Sequence, residues 1–308
     1  MKKQILLPFI AAAAMLFPAC SGDNDNSISS TDVPPTSSEE AAPESSDANS
    51  GADGTSSEGG AVESSATVAS SSSAAPTKYY GAELTGIKQF KYGRFEARMK
   101  MAAISGSVSS MFLYYDNSYK GGGEKWNEID IEVLGNNSKG FQSNIITGTA
   151  ESRITEEGKH PLEFDVREDY HLYGMIWTPD SVVWEIDSIP VRKVSLGDTK
   201  GQIQHLSEGD TQSLRFNLWV SKDPKWTGAF TGENLPEKQY IDYVRVYSYD
   251  STAKTFTLDW QDDFDGDVLN SNYWQNQNSW DMEGVTYRKQ NLYVEDGKAV
   301  LVLDRDPQ

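Results

Sequence analysis

From Lys78 onward the chain is a succession of short runs, among them FEARMKM, SSMFLYY, EIDIEVLG, FQSNIITG, HLYGMIWT, SVVWEID, LRFNLWV, YIDYVRVYSY and KAVLVLD. Each alternates or is rich in β-branched and aromatic residues, and each is closed by Gly, Pro, Asn or Asp. Strands of this length at this spacing specify an all-β sandwich or barrel. A helical period is hard to find anywhere, and no longer repeat points to a solenoid or propeller. Pro179-Asp180 reads as a turn between two strands, and the segment after it as a hairpin bending at Asp187 and Ser188.

One run carries chemistry as well as structure. In Trp126-Asn127-Glu128-Ile129-Asp130-Ile131-Glu132-Val133, strand alternation turns Glu128, Asp130 and Glu132 to one side and Ile129, Ile131 and Val133 to the other. Three carboxylates on one face repel, and a purely structural strand gains nothing from them. A solvated outer face or a cation site remains an alternative reading of the pattern. Geometry favours catalysis. Four residues of strand separate the outer Cα atoms by roughly 13 Å, and glutamates leaning inward can bring their carboxyl groups to the spacing of about 5–5.5 Å used by retaining glycosidases. An inverting enzyme needs a wider gap to seat its water.

The rest of the chain bounds the setting. Lys2 and Lys3 precede an apolar run from Ile5 to Phe17, the layout of an export signal over residues 1–20, too short to remain as a membrane span. Cys20 is the sole cysteine, so no intramolecular disulfide forms. Its place directly after the apolar core resembles the lipidation site of bacterial lipoproteins. Phe17 and Pro18 are unusual there, so cleavage and release stands as the alternative. Either way the chain is expected to be exported, as a cell-surface or periplasmic lipoprotein or as a secreted protein. Residues 21–77 are Ser-, Ala- and acid-rich with no Lys or Arg, and read as a disordered acidic linker. Residues 78–308 form the folded domain, long enough for one sizeable core. The net charge of −19 disfavours nucleic acid and anionic lipid as partners. A neutral polymer is acceptable. His160, His171 and His205 are scattered, which supports neither a zinc site nor a Ser/His triad.

The ExDxE strand, YGRFEARMK at Tyr92 to Lys100 and RFNLW at Arg215 to Trp219 together resemble glycoside hydrolase family 16. That resemblance covers essentially all of Lys78 to Gln308, and implies a concanavalin-like jelly roll of two curved antiparallel sheets. Within the family, the uninterrupted ExDxE spacing resembles the mixed-linkage glucanases (lichenases); laminarinases, agarases and carrageenases more often carry ExDxxE. The order of segments departs from most of the family. A stretch like TLDWQDDFDGDVLNSNYW with KAVLVLD usually precedes YGRFEARMK, whereas here it follows it, between Thr257 and Asp304. This order resembles a circularly permuted lichenase subgroup. The alternative is a separate small module, disfavoured because about fifty residues without a disulfide or metal cluster hardly sustain a core.

The resemblance implies roles residue by residue. Glu128 would be the nucleophile, Glu132 the general acid and then base, and Asp130 the residue that hydrogen-bonds the nucleophile and by its charge keeps Glu132 protonated. Substrate contacts would come from Glu83, Phe112, Tyr114, Trp126, Gln142, Asn144, Arg215, Asn217, Trp219 and Trp280. A structural calcium would sit near Asp242, Asp263 and Gly297, with no cofactor needed for catalysis. Asp263, Asp265 and Asp267 also hint at an EF-hand loop, but Val268 and Trp274 stand where its glycine and closing glutamate belong. The activity so implied is retaining endo-hydrolysis of β-1,3-1,4-glucan by a monomer. A non-catalytic, lectin-like glycan-binding sandwich is the competing class, and activity on xyloglucan, including transglycosylation, or on β-1,3-glucan is a third reading.

Overall fold

The computed structural model describes residues 77–307. The export signal, Cys20 and all of the linker but Thr77 lie outside the described residues. Within them the chain is all-β, as the alternating runs require, and its strands pair antiparallel except for one short parallel contact of Tyr80 and Gly81 with Thr286 and Tyr287.

Two sets of strands make the layers of a jelly roll. In the first, Gly140–Gly148, Glu128–Leu134, Ser107–Tyr114, Gln212–Val220 and Tyr79–Phe90 lie side by side in that order. In the second, Ile189–Ser195, Ser181–Ile186, His171–Thr178, Gly93–Lys100 and Glu237–Asp250 do the same. Side chains cross between them: Trp184 Nε1 donates to the carbonyl of Asp130 at 2.9 Å, and Gln239 Nε2 to that of Ser110 at 3.2 Å. The inward residues of both sets, including Ile129, Ile131, Met111, Phe216, Phe95, Trp177 and Val244, are fully buried in one core. At about 25 cal/mol per Å² of apolar surface, this burial is the main force that sets strand register.

The C-terminal stretch is woven into both layers, which excludes a separate module. Thr255–Asp262 pairs with the second half of Glu237–Asp250, Lys298–Arg305 with its first half, and Trp274–Asn276 with Leu84 to Gly86. Tyr79 lies opposite Arg305, so the two ends of the folded region meet.

The hairpin expected at Asp187 and Ser188 forms there, with Ile186 opposite Ile189 and both turn residues at positive φ, 50° and 65°, as a tight two-residue hairpin requires. The helix Gln202–Glu208 was not expected. It buries only Gln202, Ile203 and Leu206, and Asp198 closes its start by accepting from the backbone N–H of Gln202 at 2.9 Å and of Ile203 at 3.1 Å. Seven residues are too few for a helical period to stand out.

Candidate active site

Because Ile129, Ile131 and Val133 enter the core, Glu128, Asp130 and Glu132 emerge together on the opposite, open face of their strand. Antiparallel register extends that face sideways in rows. Glu132 lies opposite Gln142 on one side and Ser110 on the other, followed by Asn217 and Glu83. Asp130 lies between Asn144 and Phe112, followed by Arg215 and Thr85. Glu128 lies opposite Tyr114.

Fixed donors crowd around Glu128. Trp126 Nε1 donates to its Oε2 at 2.6 Å. The Arg153 guanidinium sits 4.9 Å over the Trp126 ring, and that of Arg215 4.9 Å over Tyr114, whose ring meets Trp126 edge-on at 5.8 Å. Arg215 is itself clamped, donating to Glu83 at 3.0 Å, to Asp116 at 2.6 Å and to Ser213 at 3.0 Å. At the other end of the row Trp226 Nε1 donates to Gln142 Oε1 at 2.7 Å, while Gln142 Nε2 is buried with no protein partner among the described residues. Ser110 donates to Asn217.

The electrostatics separate the two glutamates. Burial pushes Glu128 up to about 7, against the lowering effect of Trp126, of a hydrogen bond from Asp130, and of the charges on Arg153 and Arg215. Burial pushes Glu132 further, to about 8, and the charges of Glu128 and Glu157 add to the rise. Asp130 is the most deeply placed of the three; burial and then the two glutamates hold its carboxyl well above the usual range. Its buried Oδ2 has no protein partner among the described residues, and the raised value favours the protonated form. The charges that raise Glu132 are those of Glu128 and Glu157.

Of the other anticipated residues, Glu83, Phe112, Tyr114, Trp126, Gln142, Arg215 and Asn217 gather on this face. Asn144 shares it, but its Oδ1 accepts from the backbone N–H of Glu156 at 3.1 Å. Trp219 is nearly buried, its ring centroid 6.0 Å from that of Trp226, and Trp280 is exposed. Arg153, Asp116, Trp226 and Ser110 are additional neighbours. Ser110 was within reach of alternation, two residues before Phe112 on the same face; Arg153 has no local signal, because only the fold brings it to Trp126.

Asp242 lies where the neighbour of Glu237–Asp250 changes from Lys298–Arg305 to Thr255–Asp262, with Asp263 just after the second of these strands and Gly297 just before the first. Asp242 accepts from Arg98 at 2.7 Å and Asp263 from Arg245 at 2.6 Å. Among the described residues no three Asp, Glu, His or Cys side chains gather around a common point.

The sequence profile of the glycosyl hydrolases family 16 matches residues 51–245. A β-glucanase of Fibrobacter succinogenes is 43% identical over 236 residues, 75% of this chain and 65% of that protein. A β-glucanase of Brevibacillus brevis is 33% identical over 169 residues, 54% of this chain and 60% of that protein. The chain thus spans somewhat under two thirds of the length of these relatives. Among solved structures, the Bacillus licheniformis β-glucanase is 27% identical with a TM-score of 0.43, over 53% of this chain and 69% of that one.

Proposed function

The chain belongs to glycosyl hydrolases family 16, and from that premise we propose that it is a retaining endo-hydrolase of β-1,3-1,4-glucan. The observation that supports this best is the acidic face itself, on which two glutamates with different surroundings flank a buried aspartate. The Glu128 carboxylate attacks the anomeric carbon as the glycosidic C–O bond breaks, and Glu132 gives its proton to the departing oxygen. Glu132, now a carboxylate, takes a proton from water; the water oxygen displaces Glu128 and restores the start. Trp126 donates to Glu128, spreading its charge while it waits and releasing it as the ester forms, and Asp130 stands between the two glutamates on the same face. Arg215, Asn217 and Gln142 offer hydrogen bonds to sugar hydroxyls, and Phe112, Tyr114 and Trp126 offer flat apolar faces to the rings.

The test is release of reducing ends from lichenan by the purified protein, repeated with an acceptor oligosaccharide. Shortened products support hydrolysis. Acceptor-extended products point to transglycosylation, and binding without cleavage to a lectin-like role.

Three further readings belong to this proposal. The strand order reflects a circular permutation of the family fold. A calcium ion braces the junction of Asp242, Asp263 and Gly297, which a fall in Tm on adding EGTA to calcium-loaded protein would support and an unchanged Tm would refute. The chain is exported, with Cys20 as its lipid anchor; a Cys20→Ser variant that stays in the membrane fraction would rule the anchor out.

A further inference from the structure

Arg153 is an exposed side chain on the three-residue strand Arg153–Thr155, and its charge rests on a ring rather than on an acid. The guanidinium sits 4.9 Å over the Trp126 ring, and among the described residues it makes no salt bridge. The acid two residues before it, Glu151, is engaged elsewhere, accepting from the backbone N–H of Gly122 at 2.8 Å.

Gly148 brings cation and ring together. Its carbonyl accepts from the backbone N–H of Trp126 at 2.8 Å, and it lies opposite Arg153 where Gly140–Gly148 pairs with Arg153–Thr155. Thr149 and Ser152 exchange two backbone hydrogen bonds, both at 3.1 Å, and close a hairpin that needs glycine at 148: φ there is 91°, and a Cβ would come to 2.3 Å from the Ser152 carbonyl oxygen. The turn thus sets Arg153 one strand beyond the backbone that anchors Trp126. The indole is held at three places, by its N–H on Glu128 Oε2 at 2.6 Å, by the Tyr114 ring at 5.8 Å, and by the Arg153 cation.

We propose that Arg153 is a positioning residue for the nucleophile, acting on Glu128 through Trp126: the cation holds the indole with its N–H on the carboxylate and, by drawing π density from the ring, makes that N–H a stronger donor. This deepens the hydrolase reading of the acidic face and rests on it. Both effects favour the ionised Glu128 that attacks, so their loss raises the pH at which Glu128 ionises and lowers activity on the acidic side. The other polar groups facing Glu128 are Asp130 and Glu132 on its own strand and Tyr114 and Arg215 from the next two; Ile146 and Thr155, on its other side, carry no charge. The Arg153 charge also reaches Glu128 through space, so the test has to separate the two routes.

The experiment follows the acidic limb of kcat/KM on lichenan in wild type, Arg153→Met, Arg153→Lys, Trp126→Phe and the double variant, each checked by its melt. Arg153→Met should move the limb upward by about half a pH unit, roughly a threefold loss in kcat/KM at pH 6, with KM little changed. Arg153→Lys should recover most of this. In the Trp126→Phe background, where no indole N–H reaches Glu128, Arg153→Met should move the limb far less. An equal shift in both backgrounds means a through-space charge alone and overturns the proposal; so does an unmoved limb, with or without a rise in KM. An NMR titration of the Glu128 carboxyl carbon, assigned by its loss in Glu128→Gln, reads the same shift without turnover. Wild type that leaves lichenan intact overturns the hydrolase reading, whereas a Glu128 titration indifferent to Arg153 in a protein that cleaves overturns the positioning role alone.

Discussion

Glu128 and Glu132 are the same residue type on the same face of the same strand, and they differ in what surrounds them. Glu128 has a tryptophan N–H, the neighbouring Asp130 carboxyl and two arginine charges to favour its ionised form; Glu132 has only burial and neighbouring negative charge. The pair therefore passes through its productive state, Glu128 ionised and Glu132 protonated, between about 7 and about 8. A kcat/KM profile against pH should be bell-shaped with its limbs near those values, and Trp126→Phe should move the acidic limb upward. The same burial has a cost in stability. A carboxyl whose folded value is raised weighs nothing while both states are protonated, and costs increasingly as pH climbs from the ordinary carboxylate range toward about 8. Glu132→Gln should thus melt higher than wild type by several degrees at pH 8 and by little at pH 4, a gap that calorimetric melts across that range will measure.

The strand Glu128–Leu134 joins core and chemistry through alternation alone. Each isoleucine that enters the core fixes the direction of the carboxylates beside it, so a slip of one residue would bury the acids. Ile131 is fully buried, and Ile131→Ala should lose about 2–5 kcal/mol of stability in denaturant titration. Activity per folded molecule should change far less. This period of two is why so much was legible beforehand: the acidic face, the FQSN and RFN amides that share it, and the Asp187-Ser188 hairpin all follow from local pattern. Contacts set by tertiary approach were not legible. Arg153 over Trp126, Asp116 on Arg215 and the meeting of Tyr119 with Trp280 join segments whose spacing in the chain says nothing of their distance. Tryptophans show the same limit, since Trp274 packs in the core with its Nε1 on Asp262 while Trp280 stands in water, and neither sequence neighbourhood distinguishes them.

At the scale of the whole molecule, the ends of the folded region lie side by side and the C-terminal strands serve both layers. Tyr79 pairs with Arg305, and the N–H of Asp306 donates to the carbonyl of Lys78 at 3.2 Å. Joining these ends with a short glycine-rich linker and opening the chain in the turn after Asp250 should give a folded protein melting within a few degrees of the parent, because contacts are conserved and loop closure depends weakly on length. Deleting the segment from Thr255 onward should instead leave Glu237–Asp250 without its neighbours and abolish cooperative melting. The expectations about activity depend on the acidic face being a catalytic one. The measurement that bears on it most directly is reducing-end release from barley β-glucan by Glu128→Gln beside wild type, with folding checked by circular dichroism. A loss of about a thousandfold or more in a folded variant is the predicted result. Cleavage by that variant at a rate near wild type would contradict it.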